Sequence, residues 1–427
     1  MTPPTRIRYG VVGFAVTLAV ITYVDRICIM KSADFMKADL KLSDKQWGLV
    51  LGIFAWTYGL FEVPWGWMSD RIGAKKVILR IVLCWSFFTA ATGWAWSYVS
   101  LLFTRALFGA GEAGCFPSVT KSFMIWLPES ERVRAQGILW LSARWAGALT
   151  PLLVVFVLGF MSWRRTFELF GIVGIIWAFF FYRWYRDNPK DHPGLNETER
   201  LMLPRPEKPI SERPPVPWGR ILSSPSVWLL SIQYFCLAYA AYFYISWVPA
   251  YVKALGVTGA AGAMLDGLPL YFMGLGSLFC GFFLARITRW MGSAARGRRL
   301  TAITGFVGSA ALLFLAARSQ GAVPPVVVML VMGVAGFAND LVMPSSWAAA
   351  MDIGGRNAGT VSGIMNMVGS AGAGLFGVVA PYIKEWGGGG WNTVLYVSAA
   401  VYFLGAICWL FLDPVTPLDR DPKEALA

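Results

Sequence analysis

The chain has 427 residues, 56% of them apolar and 14% charged, where soluble proteins run at about a quarter charged. That balance excludes an ordinary soluble enzyme and predicts a membrane protein. The net charge of +13 would suit a nucleic-acid partner, but the basic residues gather between apolar runs. They read there as topology signals and contacts to anionic lipid headgroups, so no nucleic acid is expected.

Twelve apolar runs of roughly membrane-spanning length follow one another at about 9–31, 46–68, 76–97, 100–126, 135–161, 166–186, 226–252, 262–285, 300–317, 324–351, 357–383 and 392–413. The first follows Arg6 and Arg8, lacks a small-x-small cleavage site and runs into Asp25-Arg26, so it reads as a span and not a signal peptide. An even number of spans puts both termini on one side. That side carries 24 of the 37 Lys and Arg residues against nine opposite, which predicts cytoplasmic termini in a multi-pass inner-membrane protein. Between 187 and 225 lie nine of the 24 prolines among charged residues, including Pro204-Arg-Pro-Glu-Lys-Pro. This stretch reads as a solvated linker between an N-terminal six-helix bundle, 1–186, and a C-terminal one, 226–427. The six cysteines fall inside apolar runs as packing residues, and a single histidine, His192, leaves no metal-ligand cluster. No metal or cofactor is expected.

The two halves repeat. Gly66-x-x-x-Asp70-Arg71 after the second span returns as Gly281-x-x-x-Ala285-Arg286 after the eighth, offset by 215. Arg134-x-x-Gly137 with Arg144-x-x-Gly147 returns as Arg356-x-x-Gly359 with Asn366-x-x-Gly369, offset by 222. The expected fold is all-α, twelve transmembrane helices in two pseudo-symmetric bundles with a central site near the midplane.

Four cations, Arg26, Arg105, Lys121 and Arg144, stand inside spans, as do the acids Asp25, Glu62, Glu112 and Asp340. Such groups are costly in a bilayer and normally face protein or a wet cavity. Tyr23 and Arg26 share a helix face, and Arg105 and Glu112, seven apart, share another about 10 Å apart along the axis. Guanidinium groups fit carboxylates through paired donors, so Arg26, Arg105 and Arg144 form an anion trap. The alternative is permanent pairing with Asp25, Glu112 and Asp340. Asp340 is expected to pair with Arg144 or Lys121, or to take a proton. Glu62, four residues after Tyr58, faces the same side and is a candidate for the proton path or a gate. Trp47, Trp96, Trp126 and Trp386 read as an interfacial aromatic belt.

Gly66-Trp-Met-Ser-Asp70-Arg71-Ile-Gly73-Ala-Lys75-Lys76 resembles the loop signature of the major facilitator superfamily. That resemblance implies a gating role for Gly66, Asp70, Arg71 and Gly73, with Asp70 near a helix N-terminus of the other half. Tyr23-Val-Asp25-Arg26, Tyr58 and Arg105-x6-Glu112-Ala-Gly-Cys-Phe116-Pro117 are similar to the anion:cation symporter family, which includes D-galactonate, hexuronate and glucarate transporters. The resemblance implies a proton-coupled importer of a sugar acid by alternating access, working as a monomer on a small organic anion. Asp25 and Glu112 would take the protons. Arg26 would hold the substrate carboxylate beside Tyr58, and Ser346, Trp347 and Asn366 would meet substrate hydroxyls. Arg144 stands where galactonate-type members resemble one another in a glutamine, which points toward an aldarate or an aromatic dicarboxylate. An anion exchanger without proton coupling would use the arginines and leave the acids idle. No nucleotide-binding loop or nucleophile elbow is present, so ATP-driven transport and enzyme chemistry lack support.

Overall fold

The structure is a computed structural model and describes residues 3–204, 212 and 214–418. Most of Pro204-Arg-Pro-Glu-Lys-Pro lies outside the described residues. The helices run α1 (Arg8–Lys31), α2 (Ala33–Leu40), α3 (Asp44–Ile72), α4 (Ala74–Gly93), α5 (Tyr98–Glu112), α6 (Cys115–Trp126), α7 (Glu129–Leu158) and α8 (Trp163–Trp184). They continue as α9 (Glu197–Met202), α10 (Trp218–Ser223), α11 (Pro225–Ser246), α12 (Val248–Ala254), α13 (Gly259–Met291), α14 (Ala294–Ser319), α15 (Pro325–Gly354), α16 (Ala358–Trp386) and α17 (Asn392–Phe411).

Among the described residues, ten stretches are long and apolar enough to cross a bilayer. One of them, Pro325–Trp386, is α15 and α16 joined by a single 3-10 turn at Gly355–Asn357. The remaining span is broken into α5 and α6, so the ten stretches, with one counted twice and the broken one added, make twelve. The unbroken run expected over 100–126 is thus corrected. Pro117 has no N–H for the carbonyl four residues back, and the helix resets at Ala113-Gly114. Trp65 of α3 holds the broken end by donating its indole N–H to the Ala110 carbonyl at 2.6 Å.

The exposure pattern is inverted relative to a soluble protein. Phe156 and Phe160 are 65% and 75% exposed, whereas Arg105 and Glu112 are 1% and 0% exposed. Apolar side chains that would be a liability in water are the surface a hydrocarbon solvent requires.

The chain forms two compact units. The first comprises Met1–Glu129, Leu149–Pro217 and Gly354–Ile364, and the second Ser130–Ala148, Trp218–Ile353 and Met365–Ala427. In the first, Cys28, Ile29, Met36, Val50, Leu101 and Phe167 build one apolar core. All six cysteines are unpaired, and five of them are buried.

Each unit contains one copy of the repeat as a glycine contact. In the first, a Cβ on Gly66 would run into the Gly359 carbonyl. In the second, a Cβ on Gly137 would meet the Ser277 carbonyl at 2.5 Å and the Gly281 Cα at 2.9 Å. Gly66 and Gly281, and Gly137 and Gly359, are the partners that the two offsets relate, so the internal repeat is a repeat of contacts as well as of letters.

The linker departs from the expectation of a solvated segment. Its first part docks on the first unit because its polar groups serve as helix caps. Asp187 accepts from the Lys75 amide at 2.8 Å at the start of α4. Glu199 is fully buried and takes the Thr5 hydroxyl at 2.6 Å, the Ile7 and Arg8 amides at 3.1 and 3.2 Å, and the Arg8 Nη1 at 2.8 Å. A carboxylate at the start of α1 satisfies orphan amides and opposes the helix dipole. Glu199→Ala strands the buried Arg8 and should cost about 3–5 kcal/mol, read as a lower melting temperature of the detergent-purified protein. An unchanged melt would mean that the docked segment contributes nothing to stability.

Trp126 is a second correction. It is buried and not part of an interfacial belt, with its indole donating to the Arg186 carbonyl at 2.9 Å. Trp96 and Trp386 stand 80% and 83% exposed. The His192 ring meets Trp126 and Trp184 edge-on at 5.8 and 4.9 Å between centroids. Its Nδ1 accepts from the Gly194 amide at 3.2 Å, which requires the neutral ring. Burial, and then the charge of Arg186, hold the His192 pKa below its usual 6.5, with Glu199 opposing. The folded state therefore binds fewer protons than the unfolded one. This contribution to stability is complete above about pH 6.5 and is lost as pH falls toward and through the folded value. A His192→Phe variant should flatten the melting temperature over that acid window, and a parallel decline in both proteins would refute the assignment.

Candidate functional site

In the first unit the site grows from three helices. Tyr23, Asp25 and Arg26 lie on α1, Phe54 and Tyr58 on α3, and Arg105, Phe108 and Glu112 on α5. Glu112 is the last residue of α5, at the break that Pro117 causes, so its carboxylate stands at a discontinuity in a span. Arg26 donates to it through Nη2 at 2.8 Å and Nε at 3.2 Å, both to Oε1. The other oxygen, Oε2, is buried and has no hydrogen-bond partner. The Arg26 side chain is 24% exposed and that of Glu112 is 1% exposed. The cation is the more accessible of the two, and its counter-ion is behind it.

Aromatic rings wall the arginine. Its guanidinium carbon is 4.7 Å from the Tyr58 ring centroid, 5.3 Å from Phe54 and 5.6 Å from Tyr23. Arg105 sits 5.3 Å from the same Phe54 ring and 4.2 Å from Phe108. Rings of this kind favour cations at such distances, so the Phe54 ring is shared by two guanidinium groups. Nε and Nη1 of Arg105 are buried without hydrogen-bond partners, and the buried Asp25 carboxylate lies beside Trp85 and Thr89. Of the carboxylates weighed from the sequence as partners for the arginines, Arg26 on α1 takes Glu112 on α5.

Of the signature residues, Asp70 accepts from the Gly359 amide at 3.1 Å and from the Thr360 amide and hydroxyl, each at 2.7 Å. These amides open α16, where a carboxylate is favoured. Lys121 stands 3.5 Å from Asp70 and donates to the Arg356 carbonyl at 2.6 Å. Arg71 lies in the last turn of α3. Gly73 has φ of 93°, and a Cβ there would meet the Asp187 carboxylate at 2.7 Å, so both its torsion and its neighbour require glycine. Glu62 is fully buried on α3.

In the second unit Arg144 and Asp340 form a two-point pair, Nε to Oδ2 at 3.0 Å and Nη2 to Oδ1 at 3.2 Å. Ser277 donates to Oδ2 at 3.0 Å, and Asn339, itself accepting from Tyr402, donates to Oδ1 at 2.7 Å. Of the partners weighed for Asp340, Arg144 is the one it takes, and Lys121 goes to Asp70. Ser346 and Trp347 are sealed from water, donating to Gln233 at 3.2 Å and to the Tyr234 hydroxyl at 3.0 Å. Asn366 is 8% exposed. Asp352 is held by both Arg132 and Arg298, a cluster that single residues scattered over 132, 298 and 352 did not signal. Phe54 and Trp65 were also missed. The signal for Trp65 is its position seven residues after Tyr58 on one helix face.

Among the described residues no group of His, Cys, Asp and Glu is arranged to hold a metal ion.

The apolar spans among the described residues, with charged pairs buried inside them, define a multi-pass membrane protein. A sequence profile described as the Major Facilitator Superfamily matches residues 15–377, with a further match over 294–426. The chain belongs to the major facilitator superfamily and has its fold. It is 30% identical over 98% of its length to a probable sulfoacetate transporter of Cupriavidus necator, covering 96% of that protein. It is 25% identical to a D-galactonate transporter of Escherichia coli, with 96% of each chain covered. A solved proton:xylose symporter superposes with a TM-score of 0.75 at 13% identity, over 98% of both chains, a likeness of fold alone.

Proposed function

We propose that this protein is a proton-coupled importer of a small organic anion, with both termini in the cytoplasm of a cell whose inner membrane it spans. The observation that carries the reading is the asymmetry of the Arg26–Glu112 pair. The guanidinium is the more accessible partner, and the carboxylate behind it spends one oxygen on the arginine and leaves the other unbonded. A proton on Oε2 would weaken the pair and free Arg26 to take a substrate acid group through paired donors. Asp25, a buried carboxyl beside the Trp85 indole and the Thr89 hydroxyl and without a salt bridge, is the second proton carrier, since a buried carboxyl with no close counter-ion is cheaper to hold neutral than charged. Tyr23 and Tyr58 supply hydroxyls beside the bound anion.

The substrate reading favours a compound with an acid group and few carbons. The relative named for sulfoacetate is aligned over nearly the whole chain, and sulfoacetate carries a carboxylate and a sulfonate. The D-galactonate relative supports a sugar acid as the alternative. Arg144 is paired with Asp340 as it stands, so a second acid group has to displace Asp340 to reach it. Arg144→Gln should then lower uptake of dianions such as sulfoacetate or aldarates by roughly tenfold relative to monoacids, which corresponds to about 1.4 kcal/mol. Competition for tracer uptake across sulfoacetate, D-galactonate, hexuronates, aldarates and aromatic carboxylates tests the class. A transporter that accepts none of these anions would overturn the proposal.

A further inference from the structure

A cavity of about 600 Å3 opens in the first unit at the end of α6, away from the arginine site. Its walls are Met124 and Ile125 from the last turn of that helix, the docked linker from Asn188 to Pro204, and Arg356 from the turn before α16. Among the described residues, three cations, Lys190, Arg200 and Arg356, line it against one carboxylate, Glu197. Arg200 reaches the Lys190 carbonyl at 3.3 Å and Glu197 only at 3.5 Å, and its Nε is buried with no hydrogen-bond partner. The rest of the lining is apolar, from Met124, Ile125, Leu195, Leu201 and Leu203, and Leu201 is 73% exposed at the rim. The site therefore asks for a group that is anionic at one end and apolar at the other, in a space of small-molecule size.

We infer that this cavity binds the phosphate of an anionic phospholipid, with the glycerol and first acyl carbons against Met124, Ile125 and Leu201. The last turn of a span is the level at which lipid headgroups lie. Basic pockets at that level on the face carrying the excess of Lys and Arg are where anionic headgroups are attracted. A free phosphate shares the anionic chemistry and has no use for the leucine and methionine wall. Occupancy has a structural consequence. Arg356 accepts Lys121 through its carbonyl, and Lys121 stands beside Asp70, which caps α16. A phosphate held by Arg356 together with Lys190 and Arg200 therefore ties that turn to the docked linker and favours the arrangement described here.

The test is binding of dihexanoyl phosphatidylglycerol to the full-length protein in a neutral detergent, beside dihexanoyl phosphatidylcholine and inorganic phosphate. Lys190→Gln, at an exposed position, and the double variant Lys190→Gln/Arg200→Gln are compared at matched melting temperature. The expected result is phosphatidylglycerol bound at least tenfold more tightly than either control, with a loss of about threefold in the single variant and tenfold or more in the double. Inorganic phosphate binding as tightly as the lipid would overturn the lipid assignment. Equal binding of phosphatidylcholine, or unchanged binding in the single variant, would overturn the role of the cations.

Discussion

Glu112→Gln is expected to abolish uptake driven by a pH gradient, by on the order of 100-fold, while exchange of internal for external substrate survives within a few-fold. The amide keeps an acceptor for Arg26 where Oε1 now stands, at 2.8 Å from Nη2, but it cannot take or release a proton. The companion change, Arg26→Gln, removes the cation and should weaken substrate binding by about 2–5 kcal/mol, or roughly 30-fold to several thousandfold. The two variants separate coupling from binding. If Glu112→Gln still accumulates substrate against a gradient, the proton is carried elsewhere, and Asp25 becomes the sole carrier to test.

The second large effect is expected from Asp70→Asn. The carboxylate takes three hydrogen bonds from Gly359 and Thr360 and is the counter-ion of a fully buried Lys121. Removing one partner of a buried pair typically costs about 3–5 kcal/mol, because the other charge is left uncompensated. The amides of Gly359 and Thr360 should then exchange with solvent faster by two orders of magnitude or more, and initial uptake should fall at least tenfold. Faster amide exchange with normal uptake would show that the contact stabilises one arrangement without taking part in turnover. The second copy of the repeat has Ala285 where this one has Asp70. The acidic cap therefore exists on one side of the pseudo-symmetry only, and the glycine contact between Gly137 and Gly281 stands without it.

The spans were legible in the sequence because a bilayer demands about 20 apolar residues at a time, and few compositions meet that demand by chance. The repeat was legible because Gly66 and Gly137 sit where backbones touch, and no larger side chain fits there. The partner of Arg26 was not. Asp25 is adjacent in sequence, but neighbours on a helix point about 100° apart, and which carboxylate the guanidinium meets depends on how α1 and α5 are rotated against each other. The break at Glu112 was hidden in an apolar run whose hydropathy Pro117 does not alter. The docked linker was hidden for the opposite reason. Its Asp187, Asn196 and Glu199 look solvated by composition, yet they cap helix ends, and capping is a matter of position that composition does not record. Ser346 and Trp347 were read as substrate ligands from a resemblance, and their bonds to Gln233 and Tyr234 show the packing role that serine and tryptophan also fill in membrane helices.

In the proposed cycle a proton and an organic anion cross together because Glu112 must be neutral for Arg26 to hold the substrate. Tracer uptake of sulfoacetate and D-galactonate into proteoliposomes with an acidic exterior, with and without a protonophore, tests it most directly. The account predicts accumulation above the external concentration that collapses when the protonophore is added. Uptake that merely equilibrates, or that proceeds only by exchange and ignores the pH gradient, would contradict it.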